Sequence, residues 1–284
     1  MKRTMKVIIA GLVIAVVGLL VLIGAIAASG WNVNRVNEWQ EDTFTAAATV
    51  ERLDVKVNWG QVAINRCDTE KVTVKYEYDD KYTPKFDEKN GKLTIETSQK
   101  RWYEFGYWVV NAPRIEISVP QSVKLNEVQL TLNAGTVQFG DGEWCTTMSV
   151  KINAGTLSMG TVSVNELDLK LNAGAMEVKK IECDKVVCKM NAGAFDANEI
   201  LCREFDCDIS AGSANIKKLD AQAIDLDLSA GSASLGLVGA KSDYNISTKV
   251  SAGSCNVSSQ SSASATRTVT VDVSAGSADL KFGN

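Results

Sequence analysis

The chain of 284 residues contains no histidine, only 3 prolines and few aromatic residues, which make up 7% of the total. The absence of histidine excludes catalysis by a histidine base, a Ser-His-Asp triad and metal sites with histidine ligands. The 30 basic and 34 acidic residues nearly balance, so the chain lacks the basic surplus of a nucleic-acid binder. We therefore expect no nucleic-acid partner and no cofactor. A hydrophobic fraction of 45% and 21 glycines are what the chain does have, and they are typical of a membrane segment joined to a regular β core.

One long apolar run lies near the N-terminus, at residues 7–28, and a helix of that length spans about 33 Å, enough for a bilayer core. Lys2, Arg3 and Lys6 precede the run and, by the positive-inside rule, keep the N-terminus in the cytoplasm. The sequence thus predicts a single-pass cell-membrane protein with a cytoplasmic head (1–6), a transmembrane signal anchor (7–28), a juxtamembrane stalk (29–43) and an extracytoplasmic domain (44–284). A cleaved signal peptide is the alternative, because the small residues at 25–27 resemble a cleavage site, although the run is long for a signal.

The rest of the chain is dominated by a repeat of about nineteen residues. Each copy carries Ala-Gly preceded by Asn or Ser, and successive glycines are separated by 20, 19, 19, 19, 19, 22 and 23 residues. These glycines are Gly135, Gly155, Gly174, Gly193, Gly212, Gly231, Gly253 and Gly276. A degenerate earlier copy is centred on Gly60. The positions three, five and seven before each glycine are mostly apolar and those between them mostly polar, which is the alternation of a β-strand.

A repeat this short cannot bury its own apolar face, so successive copies must stack around a common core. A constant period of strand, corner and strand predicts an all-β fold, a single-stranded parallel β-solenoid with coils roughly 4.8 Å apart and right-handed winding. The rival is a β-sandwich of hairpins, which the fixed period disfavours. Each repeated glycine predicts a corner with a positive φ or with no room for a side chain. The asparagines before the corners suit an amide ladder along the stack, or simply turns.

Residues 65–120 interrupt the repeat before the regular coils of 121–284 begin. The segments 81–84 and 89–92 have the composition of hairpin turns or loops. Five aromatic residues then fall within seven positions, namely Trp102, Tyr103, Phe105, Tyr107 and Trp108. Because a solenoid needs covered ends, we expect a cap here; the alternative is an aromatic platform that binds a sugar, a partner or the membrane interface. No capping segment follows the last coil, so we expect charge protection or self-association through that C-terminal coil.

These motifs resemble a known bacterial family. The segment 53–64 (LDVKVNWGQVAI), the segment 115–120 (IEISVP) and the repeated Ala-Gly corners are similar to those of an adhesin-like domain of unknown function. The resemblance covers about residues 44–284 and implies a non-enzymatic, envelope-anchored β-solenoid that acts in adhesion or as an interaction scaffold for an envelope protein or glycan. It brings no catalytic residues. Because a fold does not settle function, a polysaccharide-acting β-helix enzyme, a glycan-binding module and a structural spacer stay open as alternatives.

Seven cysteines are an awkward, odd number for a protein outside the cell. Cys188 and Cys207 occupy an inward column five positions before a glycine, and Cys145, Cys183 and Cys202 share the column ten positions before. We expect most of them to act as small buried hydrophobic residues. Stacked neighbours would have Cα atoms roughly 5 Å apart, inside the disulfide range, so bridges at Cys188–Cys207 or Cys183–Cys202 stay open. A zinc site is disfavoured, since no histidine and no Cys-x-x-Cys occurs.

Charge falls in blocks on the outward positions. Lys151, Lys170 and Lys189 lie four positions before their glycines and should stack on consecutive coils. Four carboxylates follow on the next two coils, namely Asp206, Asp208, Asp225 and Asp227. A divalent cation such as Ca²⁺ would relieve their repulsion, which makes them a candidate metal site; the alternative is a solvated face. We predict no catalytic residue, because a glycosidase pair needs one acid in an apolar pocket and nothing marks these as buried.

Overall fold

The computed structural model describes residues 39–79, 82–97 and 112–283, and nearly all of its regular structure is β. The strands are β1 (Gln40–Thr45), β2 (Arg52–Cys67), β3 (Thr73–Tyr78), β4 (Pro84–Lys89), β5 (Lys92–Thr97), β6 (Arg114–Pro120), β7 (Leu125–Phe139), β8 (Gly142–Glu182), β9 (Lys185–Leu201), β10 (Glu204–Asp220), β11 (Ala223–Leu228), β12 (Gly231–Leu237), β13 (Tyr244–Cys255) and β14 (Arg267–Phe282). A single 3₁₀ turn at Lys241–Asp243 is the only helical element in these ranges.

The predicted cytoplasmic head and membrane anchor (1–28) and the aromatic run at 102–108 lie outside the described residues. Within the described ranges, no helix has the length and apolar character needed to span a bilayer. Strand β1 begins at Gln40, inside the predicted stalk of 29–43.

Successive coils pair in parallel, in the order β2, β7, β8, β9 and β10, and residues of equivalent position in the repeat lie side by side. Gly193 pairs with Gly212, so that one period of the sequence is one coil of the stack. Gly60 pairs with Gly135 in the same register, although the irregular region lies between them in the sequence. The 41-residue strand β8 contains two coils, because the chain passes its corners without losing extended geometry. The all-β solenoid expected from the repeat is therefore the fold of the described chain.

The inward columns of the repeat form one continuous core. In a representative coil, Leu167, Leu169 and Leu171 are at most 1% exposed, as the alternating pattern requires. The matching residues of the other coils are buried in the same way, except near the end of the stack, where Val250 is 41% exposed. Because each coil covers the apolar face of its neighbour, the core depends on stacking, as expected for a short repeat.

The last coils do not stack in sequence order. Strand β14 lies between the coil of β11 and β12 and the strand β13, since Gly276 pairs with both Gly231 and Gly253. The prediction that the C-terminal coil forms the open end is therefore wrong, because β14 has neighbours on both sides and β13 is the outer strand. The longer spacings of 22 and 23 residues provide the chain needed to skip one position and return to fill it.

The other end of the stack is covered by the strands of the irregular region. A tight turn at Asn90 (φ 52°) and Gly91 (φ 70°) joins β4 to β5, as the composition of 89–92 predicts. Strand β5 pairs with the first half of β2, and β6 with its second half. Strands β3 and β1 extend the sheet beyond β6 in antiparallel order. Together these strands cap the first coil.

Candidate interaction surface

The corners of the coils are fixed by a column of glycines. The eight predicted corner glycines and Gly60 all have positive φ, between 125° and 154°. A Cβ on Gly174 would lie 2.8 Å from the carbonyl carbon and 3.0 Å from the nitrogen of Gly155, and closer still to its oxygen. Both reasons proposed for these glycines, the positive φ and the lack of room, are therefore confirmed.

A ladder of asparagine amides runs beside these corners. Each Nδ2 donates to the Oδ1 of the asparagine in the preceding coil. The four bonds run from Asn191 to Asn172 (2.8 Å), from Asn172 to Asn153 (2.6 Å), from Asn153 to Asn133 (2.5 Å) and from Asn133 to Asn58 (2.8 Å). Asn58 donates in turn to the Thr97 carbonyl of the cap, at 2.6 Å. The amide ladder proposed from the sequence is confirmed, and it extends to the degenerate first copy. It holds neighbouring coils in one register, which fixes the outward side chains in straight columns.

One outward column carries most of the charge of its face. Its residues lie four positions before each corner glycine, and Lys170, Lys189, Asp208, Asp227 and Asp272 are paired in that order. Lys151 stacks on Lys170, because their coils are joined through the amides of Asn153 and Asn172. We call this column, with the outward residues six and two positions before the same glycines, the charged face. In its central column, three coils with lysine are followed by three coils with aspartate.

The carboxylates of the negative half lie together. Asp206 pairs with Asp225, and Asp208 with Asp227, as expected for adjacent coils. Asp272 joins them, and the sequence did not reveal this because β14 inserts out of order beside β11. Partial burial raises the pKa of Asp227, and repulsion from Asp225, Asp272, Asp208 and Asp206 adds to that shift. In the described ranges, these carboxylates included, no three Cys, Asp or Glu side chains are arranged to hold a metal ion.

Beside the positive half lies a shallow groove of about 250 Å³. Acidic and basic side chains alternate along it, among them Glu166, Asp168, Lys185 and Lys189. Lys170 donates to Asp168 Oδ2 at 2.7 Å, whereas Asp168 Oδ1 is shielded from solvent and has no hydrogen-bond partner. The groove therefore combines an apolar floor, which includes Met148 and Leu167, with charged side chains and one carboxylate oxygen that lacks a donor.

Two aromatic clusters lie at the capped end, and the sequence analysis did not identify them. Phe44 stacks on Phe86 with ring centroids 4.3 Å apart, and Tyr76 lies 5.0 Å from Phe86. These rings join the β1–β3 and β4–β5 pairs to each other. Tyr82 lies 5.7 Å from Trp59 in the first coil, and Trp39 contacts both rings. The concentration of aromatic residues between 39 and 86 is the signal that could have indicated this packing.

All seven cysteines are free thiols in the structure. Cys188 and Cys207 are paired in register and are at most 1% exposed, so they serve as core residues as expected. Cys183 and Cys202 lie on adjacent coil returns, partly exposed, and their thiols share a hydrogen bond. That hydrogen bond and burial raise the pKa of Cys202. Burial also raises the pKa of Cys145, to about 12.

The solenoid matches a known protein family. Residues 50–282 match the model of the Toastrack domain, DUF4097. The chain belongs to the Toastrack family. No curated protein sequence matches it.

Solved structures share the Toastrack architecture at low sequence identity. A provisionally named lipid-binding protein from Parabacteroides distasonis superposes with a TM-score of 0.53 at 13% identity, covering 84% of this chain and 96% of its own. A provisionally named adhesin from the same species gives 0.47 at 9% identity, with 86% and 97% covered. Another such adhesin, from Parabacteroides merdae, gives 0.41 at 10% identity, with 88% and 98% covered. The first of these similarities supports the fold, and the names describe those proteins alone.

Proposed function

We propose that this Toastrack chain is a non-enzymatic interaction scaffold of the bacterial envelope, held at the membrane by its N-terminal apolar segment. The solenoid, wound right-handed, stands outside the membrane and presents the charged face to a macromolecular partner. The anchor rests on the sequence of residues 1–28, and the location outside the cell is also supported by the adhesin names of structural neighbours.

The observation that carries this proposal is the rigid alignment of the charged face. Corner glycines bring neighbouring backbones into contact, and the asparagine ladder fixes their register. The Cα positions of charged residues such as Lys170 and Lys189 are therefore held in a column by the fold. A surface with fixed charge order can discriminate between partners, because like charges that meet across an interface cost binding energy.

The polysaccharide-acting enzyme is less well supported by the geometry. A glycosidase needs one carboxyl group in an apolar pocket with a raised pKa and a second, ionised one nearby. Asp206, Asp225 and Asp227 are exposed on an open face, and Asp208 is only half-buried. Partial burial is the largest cause of the raised pKa of Asp227, and repulsion from the neighbouring carboxylates of the same open face adds to it.

The test uses the full chain in lipid vesicles and purified cell-wall sacculi or envelope proteins as the binding material. A variant with Lys151, Lys170 and Lys189 changed to Gln should lose binding. The matched control changes three exposed lysines elsewhere (Lys124→Gln, Lys179→Gln and Lys241→Gln) and should bind as the original chain does. Equal binding by both variants would contradict the role of the face, and release of soluble sugar fragments from the sacculi would favour the enzyme.

The anchor is tested separately in intact cells. A protease added outside should digest the solenoid and leave a tag fused before Met1 protected. A tag that is cleaved under the same conditions, or a chain that is released without its first residues, would contradict the anchor.

A further inference from the structure

The position directly before each corner glycine is occupied differently in the first coil. In the eight regular repeats this position is an exposed alanine, as at Ala134, Ala173 and Ala252. In the first coil it is Trp59, which lies side by side with Ala134. A large aromatic ring therefore stands at an outward corner position where each later coil carries a methyl group.

Two further aromatic rings surround Trp59. The ring centroid of Tyr82 lies 5.7 Å from that of Trp59, the centroid of Trp39 lies 6.1 Å from it, and Trp39 and Tyr82 are 5.8 Å apart. Tyr82 is only 4% exposed, whereas both tryptophans are partly exposed. We call these three residues the corner cluster. It presents two partly exposed indole rings to the surroundings beside a buried tyrosine.

The corner cluster also marks the place where the chain enters the folded domain. Trp39 directly precedes β1, which is three strand positions beyond β2 on the side away from the regular coils. Gln40 pairs with Tyr78, and Gln61 pairs with Arg114, so β1 begins beside the Gly60 corner. The N-terminal segment therefore joins the solenoid at its capped end.

The chain before Trp39 is short compared with the size of the domain. Residues 29–38 separate the apolar run of 7–28 from Trp39, so the Cα atoms of residues 28 and 39 are at most about 38 Å apart. The Gly253 corner lies eight coil spacings beyond the Gly60 corner, which adds about 38 Å along the stack. Of the described residues, those around Trp39 are therefore tied closest to a bilayer that contains the apolar run.

The chemistry of the corner cluster matches the surface of a bilayer. Trp and Tyr combine an apolar ring with a polar N–H or O–H group, and they are enriched where the hydrocarbon region meets water. The neighbouring charges do not form a basic patch, since Glu41 is paired with Lys75 at 2.8 Å and Asp42 accepts a hydrogen bond from Tyr76. Attraction to anionic lipids needs a basic surplus, so contact through these rings should depend little on salt or on lipid charge.

We propose that the corner cluster inserts into the headgroup region of the bilayer and docks the solenoid on the membrane by its capped end. This inference rests on the proposed function, because it takes the apolar run as a membrane anchor. Docking sets the order of charges relative to the membrane. The coils that carry Lys170 and Lys189 lie nearer to it, and those that carry Asp208 and Asp227 lie farther away.

The test uses fluorine NMR of the full chain, labelled with fluorotryptophan and reconstituted in phosphatidylcholine bicelles. Single Trp→Phe variants assign the lines of the six tryptophans. A phospholipid with a nitroxide on its headgroup broadens the lines of rings that lie close to it. We expect the Trp59 line to lose most of its height, and the line of Trp144, which is 1% exposed in the core, to keep its height.

A longer stalk separates docking from simple tethering. Inserting about 20 glycine and serine residues between residues 33 and 34 lowers the effective concentration of the domain at the bilayer about fivefold. The Trp59 line should stay broadened in this extended chain, at low and at high salt. Trp39→Ser in the extended chain should restore the height of the Trp59 line. The control Val250→Ser, which changes an exposed apolar residue at the β13 end, should not restore it.

Several results would overturn the proposal. They are a Trp59 line that the nitroxide lipid does not affect, a line that recovers its height when the stalk is lengthened, and a line that stays broad in the extended Trp39→Ser chain. Each of these results, obtained with a chain that is inserted in the bicelles and folded by circular dichroism, would leave the proposed function standing. A chain that does not remain with the bicelles would overturn the docking and the anchor together.

Discussion

Replacing Gly174 with alanine should open the stack at its middle. The added Cβ would point at the backbone of Gly155, 2.8 Å from its carbonyl carbon and 3.0 Å from its nitrogen, with φ held at 133°. Turning a side chain cannot relieve either contact, because the contacted atoms are backbone atoms of a strand that is paired on both sides. The two coils must therefore separate or the corner must change its path.

The magnitude follows from two contributions. A non-glycine residue in such a sparsely populated region costs about 1–3 kcal/mol. Overpacking against a structure that cannot relax adds about 1–3 kcal/mol. The free energy of unfolding should fall by about 2–6 kcal/mol, a large share of the roughly 5–15 kcal/mol typical of a folded domain.

Urea unfolding of the full chain, followed by circular dichroism, measures this loss as a lower midpoint. Amide hydrogen exchange should show reduced protection in the coils on either side of Gly174, since a stack of repeats can open locally. The matched control is Gly283→Ala, where φ is 97° but no atom lies within 4 Å of the added Cβ. Equal midpoints for the two variants would refute the crowding argument, because only the backbone strain is common to both.

Three further changes test separate features of the stack. Asn153→Ala removes the donor to Asn133 and the acceptor for Asn172, so it should lower the free energy of unfolding by about 1 kcal/mol. In the same urea titration, the control Ser210→Ala, next to the end of the ladder, should lower it less. Oxidised glutathione should join Cys183 to Cys202 in a disulfide while being reduced to two glutathione thiols. Alkylation and mass spectrometry should then count five labelled cysteines of the seven. Cys183→Ser should prevent this loss of two labelled thiols, whereas Cys188→Ser should not, because Cys188 is buried. Asp227→Asn should raise the melting temperature of dilute protein near pH 7 and have no such effect near about pH 3. The reason is that a carboxyl group with a raised pKa in the folded state destabilises that state only when it is ionised. The same difference in melting temperature between variant and original chain at every pH would contradict the repulsion.

The periodic part of the fold could be predicted because its physics is local to each repeat. The alternation around Gly174 places Leu167, Leu169 and Leu171 inward, and the structure buries all three. The same columns predicted the stacking of Lys170 on Lys189, since equal positions in a fixed period must coincide. The amide ladder followed from the same reasoning.

The order of the last coils could not be predicted from the period. Inward residues such as Val271 and Val273 are suited to any neighbouring coil, so the pattern fixes which face is buried and not which coil lies beside it. Only the longer spacings before Gly253 and Gly276 departed from the pattern, and a longer loop is also compatible with simple sequential stacking. Asp272 was left out of the negative half for this reason.

The structure of the capped end was harder to predict, because it also lies outside the repeat. Its strands belong to no repeat, and pairs such as Phe44 and Phe86 join segments that are distant in sequence. The aromatic residues at 102–108 fall outside the described ranges, so their role as cap or platform stays a prediction.

The insertion of β14 also sets the order in which the solenoid can be completed. Strand β13 pairs with β14, but β13 is synthesised before β14. During synthesis β13 must wait outside the growing stack until residues 267–282 have emerged and filled the vacant position. A chain cut between the two strands would therefore lose both coils and expose the edge of β11 and β12, which makes completion of this end an all-or-none step.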